Sequence, residues 1–177
     1  MILFSQRLQR LRGSVRVSVL VGLLVGILVP AFMWAGAPAW WSQRGVLVSG
    51  VTVDDYAAVN QGQVKYIAKQ AYEQMKVTLP GGAGNVLDAI WANPPASTDD
   101  YRAINLGQLK AIASPFYLRL LEKGYTGQPF TVAQPPTQAK PYPWSFAVMP
   151  ADDFALANIG QVKNLFSFDL SSLNPPR

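Results

Sequence analysis

The feature that most constrains this chain is a twelve-residue pattern written three times. It reads DDYAAVNQGQVK from Asp54 to Lys65, DDYRAINLGQLK from Asp99 to Lys110, and DDFALANIGQVK from Asp152 to Lys163. Six of the twelve positions are identical in all copies and three more keep their character, giving D-D-[YF]-x-x-[VIA]-N-x-G-Q-[VL]-K. The starts lie 45 and 53 residues apart, close to the periods of helical repeat architectures.

The pattern has the chemistry of helix capping. An Asn followed three residues later by Gln, ahead of an apolar-periodic stretch, is the capping-box spacing. It occurs at Asn60 with Gln63, Asn105 with Gln108, and Asn158 with Gln161. Helical apolar spacing follows each cap: Val64, Ile67, Ala68, Ala71 and Met75; then Leu109, Ile112, Ala113 and Phe116; then Val162, Leu165 and Phe166. Upstream, the pairs Asp54-Asp55, Asp99-Asp100 and Asp152-Asp153 suit the start of a short helix, one Asp as N-cap and the next in the first turn. On that reading Tyr56, Tyr101 and Phe154 turn inward. Gly62, Gly107 and Gly160 occupy the second helical position, where glycine is unfavourable. Their recurrence predicts that the preceding short helix passes too close for a Cβ. Lys65, Lys110 and Lys163 are expected to reach an Asp of their own unit or of a neighbour.

The remaining segments fit around these units. Leu79-Pro80-Gly81-Gly82-Ala83-Gly84 is a break, after which Asn85 with Asp88 is expected to cap a short helix ended by Asn93-Pro94-Pro95. Pro115 predicts either a kink in the second long helix or its survival through packing. Residues 124–150 hold two Gly and six Pro among several aromatics, the composition of an irregular connection lying over the helices. The expected fold class is mainly α: three helix–corner–helix repeats packed around one core, with that Pro-rich segment and at most a short strand pair.

The N-terminus carries an address. Arg7, Arg10, Arg12 and Arg16 precede an apolar run from Val17 to Val29, and small residues follow at Ala35-Gly36-Ala37-Pro38-Ala39. This is the layout of a signal peptide over residues 1–39, with 40–177 as the exported domain. The competing reading is an uncleaved anchor, since residues 17–35 approach the length of a membrane-crossing helix. In both readings the Arg cluster stays cytoplasmic and the rest crosses. The expected location is the periplasm, the cell surface or the medium, with membrane contact only through residues 17–35 if the leader is retained.

Charge and composition narrow the chemistry. The whole chain carries a net +5, yet beyond residue 39 eleven basic residues face ten acidic ones. The dispersed remainder argues against nucleic acid as a partner. With no Cys and no His, disulfides, thiol nucleophiles, imidazole bases and the usual zinc ligand sets are absent. Adjacent Asp pairs repeated in one local context fit capping better than a single acid/base site. The Asp-Asp-to-Gly spacing lacks the alternating oxygen ligands of a calcium loop. Residues 81–84 lack the following Lys-Ser or Lys-Thr of a phosphate-cradling loop. The expected function is a non-catalytic structural or interaction module, not an enzyme, without cofactor, meeting an unknown protein or glycan partner. The alternative is a glycan-directed binding domain or carboxylate hydrolase using Asp99, Asp100 or Asp152 beside Trp144.

Several stretches together carry a resemblance: Trp40-Trp41 with Arg44-Gly45-Val46, residues 79–84, the three N-x-G-Q-[VL]-K motifs, and the run from Asn158 to Leu170. Over nearly all of residues 40–170 the chain resembles a poorly characterised bacterial exported module found at the N-terminus of some large surface or secreted repeat proteins. The resemblance implies export and continuation into further domains in larger relatives. It implies no activity, cofactor or catalytic residue.

Overall fold

The computed structural model describes residues 37–46, 54–146 and 153–173. These all fall within one compact unit spanning Ala35–Arg177. The leader before residue 37, Asp152 and the last four residues lie outside the described residues. The described chain is mainly helical. Five α-helices follow in order: α1 (Ala39–Gln43), α2 (Gln61–Thr78), α3 (Asn85–Trp91), α4 (Leu106–Glu122) and α5 (Ile159–Leu165). Short 3-10 turns occupy Thr98–Tyr101, Pro143–Phe146 and Leu170–Leu173. No helix among the described residues is long and apolar enough to cross a membrane.

Each of the three motif-bearing helices starts at a complete capping box. The Asn60, Asn105 and Asn158 side chains accept from the amides of Gln63, Gln108 and Gln161 at 2.8–2.9 Å, and each Gln side chain accepts in return from its Asn amide at 2.9–3.0 Å. These bonds satisfy donors that a bare helix start leaves unpaired. In α2 the residues Val64, Ala68, Ala71, Tyr72 and Met75 are buried on one face. In α4 the matching face holds Leu109, Ala113, Phe116, Tyr117 and Leu120. Pro115 sits inside α4 without ending it. A proline there removes one ladder bond and costs about 3 kcal/mol in an isolated helix, which the burial of five large or apolar side chains offsets.

The upstream elements differ from the sequence expectation. Only the second copy forms a helical turn, Thr98–Tyr101, and its cap is Ser97 rather than an Asp. Ser97 accepts from Asp99, while Asp100 at the third position reaches back to the Ser97 amide at 3.1 Å. In the first and third copies the segment is a plain turn. Tyr56, Tyr101 and Phe154 do not turn inward; they are 90%, 89% and 89% exposed. The extended backbone after each turn alternates its side chains, and Val59, Ile104 and Ala157 take the buried side. Asn85 caps nothing either. α3 begins after Gly84, whose φ of 90° demands glycine, and Asp88 instead accepts from the Tyr72 hydroxyl at 2.9 Å.

The chain between α4 and α5 is anchored by rings. Tyr117 meets Phe130 and Trp144 edge to face, with centroids 5.6 Å apart in both pairs, and Tyr142 stacks on Trp144 at 4.7 Å. Thr131 and Gln134 form a single antiparallel bridge rather than a strand pair. At the other end Trp40 and Trp41 are buried, and their indole N–H groups donate to the carbonyls of Phe168 and Phe166, both at 2.9 Å. Residues more than 120 positions apart are thereby fastened together.

Candidate functional site

The motif residues converge on a closed circuit of contacts. Backbone bonds run Ile104 N to Val59 O (3.2 Å), Ala157 N to Ile104 O (2.9 Å) and Val59 N to Ala157 O (3.0 Å), so the copies bind one another in a triangle. A second circuit accompanies it: Gln61 N to Arg102 O, Leu106 N to Ala155 O, and Ile159 N to Ala57 O, at 2.9–3.0 Å. Every donor in either set is answered by a carbonyl of another copy.

The charged positions follow the same order. Lys65 pairs with Asp100 at 2.6 Å, Lys110 with Asp153 at 2.5 Å, and Lys163 with Asp55 at 2.7 Å. The partner is a neighbouring copy each time, never the lysine's own. The Lys65 ammonium, then the Ser97 amide, hold the Asp100 carboxyl below its ordinary value.

The glycines follow suit, and here the expected cause is corrected. A Cβ on Gly62 would stand 3.1 Å from the Asp100 carbonyl, one on Gly107 3.2 Å from the Asp153 Cβ, and one on Gly160 3.2 Å from Asp55. The crowding element is the Asp of the next copy, not the turn that precedes the glycine. The Gly107 and Gly160 amides donate to the carbonyls of the same Asp153 and Asp55, at 3.0 and 2.8 Å.

The first Asp of each pair has a local task where it is described. Asp54 accepts from the Tyr56 amide at 2.9 Å, and Asp99 pairs with Arg102 at 3.2 Å. Asp152 lies outside the described residues. Among the described residues no three carboxylates gather in a way that could hold a metal ion. The carboxylates proposed to stand beside Trp144 are elsewhere engaged: Asp100 with Lys65 and Asp99 with Arg102, while Trp144 packs on Tyr117 and Tyr142.

A cavity of about 520 Å³ opens beside the first and third corners. Its walls are mostly apolar, with Trp41, Val59, Tyr66 and Ile159 among them, and Asn60, Gln63, Asp100 and Tyr101 add polar atoms. Sequence reasoning missed two features. Ser97 as a cap was visible as S-x-x-D spacing. Arg119, whose guanidinium donates to the carbonyls of Gly81 and Gly82 at 2.7–3.2 Å, has no local sequence signal because its targets lie 37 and 38 residues away.

No protein-family model matches this chain, and no curated protein and no solved structure matches it.

Proposed function

We propose that residues 40–177 form a non-catalytic structural or interaction module, exported to the cell envelope or beyond, in which three corner-and-helix repeats close into one pseudo-threefold ring. The observation that carries this is the fate of the motif's polar groups. Asn and Gln cap helices, Lys and the second Asp cross-link copies, and Gly admits the neighbour's backbone. That consumption of side chains supports scaffolding over acid/base chemistry, which needs carboxyls facing a substrate. No cofactor is invoked. The resemblance to exported bacterial modules and the Arg-led apolar leader support the compartment; membrane contact, if the leader is retained, is confined to residues 17–35.

Two experiments test the proposal. Charge reversal of one link, Lys110→Asp, is expected to lower the melting temperature, and adding Asp153→Lys is expected to restore most of the loss. Failure of restoration would contradict the cross-link role. Cell fractionation with N-terminal sequencing of the mature protein checks export; recovery of intact chain in the cytoplasm would remove that half of the proposal.

A further inference from the structure

The third copy is held in the way a bound peptide is held. Its backbone is bonded through Ala155, Ala157 and Ile159 to the other two copies, and its charges meet Lys110 and Asp55. Past the corner, Trp41 and Trp40 donate to the carbonyls of Phe166 and Phe168, Tyr117 donates to the Leu165 carbonyl at 2.6 Å, and the Asp169 amide donates to the Tyr125 hydroxyl. Each of these partners lies before residue 126, on the far side of the connection. Within the connection, residues 131–140 are exposed at every position but Pro136. They are folded into two local turns, Gln134 N to Thr131 O at 2.9 Å and Thr137 with Lys140 exchanging bonds at 3.1 Å. Drawn out, those ten residues span about 33 Å. We propose that the third copy is an exchangeable segment: two molecules of this chain open at residues 131–140, and each fills the other's ring with its own third copy. This rests on the closed-ring reading above and names the partner of that scaffold as a second copy of the chain.

The seat that the third copy occupies is selective. It requires a cation facing Asp55, an anion facing Lys110, and a glycine where a Cβ would stand 3.2 Å from Asp55. Those demands alone would admit any copy of the motif. The residue three past the lysine narrows the choice, for it is Ala68 in the first copy, Ala113 in the second and Phe166 in the third, and all three are fully buried. Phe166 packs edge to face on Phe116 with centroids 5.4 Å apart, a contact that an alanine at this position cannot make. The segment that fits is therefore a third copy, which a second molecule of this chain carries. Exchange re-forms every one of these bonds between molecules and alters only the loop, so the swapped and unswapped forms differ chiefly by the entropy of association. The tether favours each molecule's own segment, and exchange rises with protein concentration when chains fold together.

The test uses two full-length variants whose charges fit only between molecules. One reverses the seat, Asp55→Lys with Lys110→Asp; the other reverses the segment, Asp153→Lys with Lys163→Asp. Alone, each sets like charges together at both links and is expected to melt below the parent. Refolded together from urea into detergent, they should form a heterodimer that outnumbers the homodimers by more than about tenfold and recovers most of the lost melting temperature. Two monomers that keep their lowered melting temperatures overturn the proposal. So do homodimers and heterodimers in statistical proportion without recovery, the result of association through the leader. Should the variants fail to fold, the parent decides. Ordinary and heavy-nitrogen chains, refolded together and joined with a carbodiimide, should yield Lys163–Asp55 peptide pairs of mixed isotope in a fraction that grows with concentration. Unmixed pairs at every concentration overturn the exchange. If Asp153→Lys rescues Lys110→Asp within one chain while mixing rescues nothing, the interlock stands and the exchange falls.

Discussion

The three corners and the connection from Gly124 to Phe146 solve the same problem, holding irregular chain in place, by opposite means. At the corners each short segment is fixed by bonds of defined donor and acceptor, and the same bonds recur from copy to copy. In the connection, rings are fixed by shape: Phe130 and Trp144 on Tyr117, Phe146 on Phe130, and Lys140 over the Phe146 ring at 5.3 Å. Directional bonds there are local, apart from the Tyr125 hydroxyl, which donates to the Gln128 carbonyl and accepts from the Asp169 amide. Polar geometry must be repeated residue by residue to work, whereas aromatic packing tolerates many arrangements of equal volume. The corners are therefore uniform and the connection is singular.

The sharpest way to break the contrast is to remove the ring that the connection leans on. Tyr117→Ala is expected to cost about 3–5 kcal/mol in urea unfolding, with faster proteolysis between residues 126 and 146, because a fully buried side chain leaves a cavity between Phe130 and Trp144. A corner offers a smaller but more telling loss. Gly107→Ala should destabilise by about 1–3 kcal/mol although alanine is the better helix former, since the Asp153 backbone cannot recede without stretching its bond to the Gly107 amide. Thermal unfolding unchanged or improved by this substitution would refute the close-approach explanation. Asn105→Ala should cost about 1 kcal/mol in the same measurement. Lys110→Met should cost about 0–1 kcal/mol, its carboxylate partner being half exposed.

Titration separates the two regions further. Asp100 has its carboxyl lowered by Lys65, so its contribution is complete above the ordinary carboxylate range and is lost as pH falls through the lowered folded value. Lys65→Met should flatten that acid-side dependence of melting temperature. On the basic side Tyr125 is pushed up to about 12, chiefly by burial. A raised value favours the neutral, folded form, so stability present below pH 10 is lost as pH rises from 10 towards 12. Tyr125→Phe should remove part of that alkaline loss.

What the sequence made legible follows the same division. Capping boxes and helical faces depend on spacings of three and four residues, and both could be read from Asn60 to Met75 without any structure. The direction of each Lys–Asp link was not legible, because the Asp of the lysine's own unit and that of the next are chemically the same. Exposure of Tyr56 was misread for a related reason. Aromatic character predicts burial on average, but the backbone alternation that gave the inner side to Val59 is set by bonds to Ala157, almost a hundred residues away in the chain. The placement of Trp144 on Tyr117 rests on packing alone and had no pattern to reveal it.

The link from Lys163 back to Asp55 also has a temporal meaning. Asp55 emerges early in synthesis and its partner follows 108 residues later, a wait of roughly 5–20 s at ordinary ribosomal speed. Throughout that interval the first corner lacks the Lys163 ammonium that pairs with Asp55 and the Ile159 and Gly160 amides that donate to its carbonyls. The first corner therefore reaches its full set of bonds only after the third copy has been made.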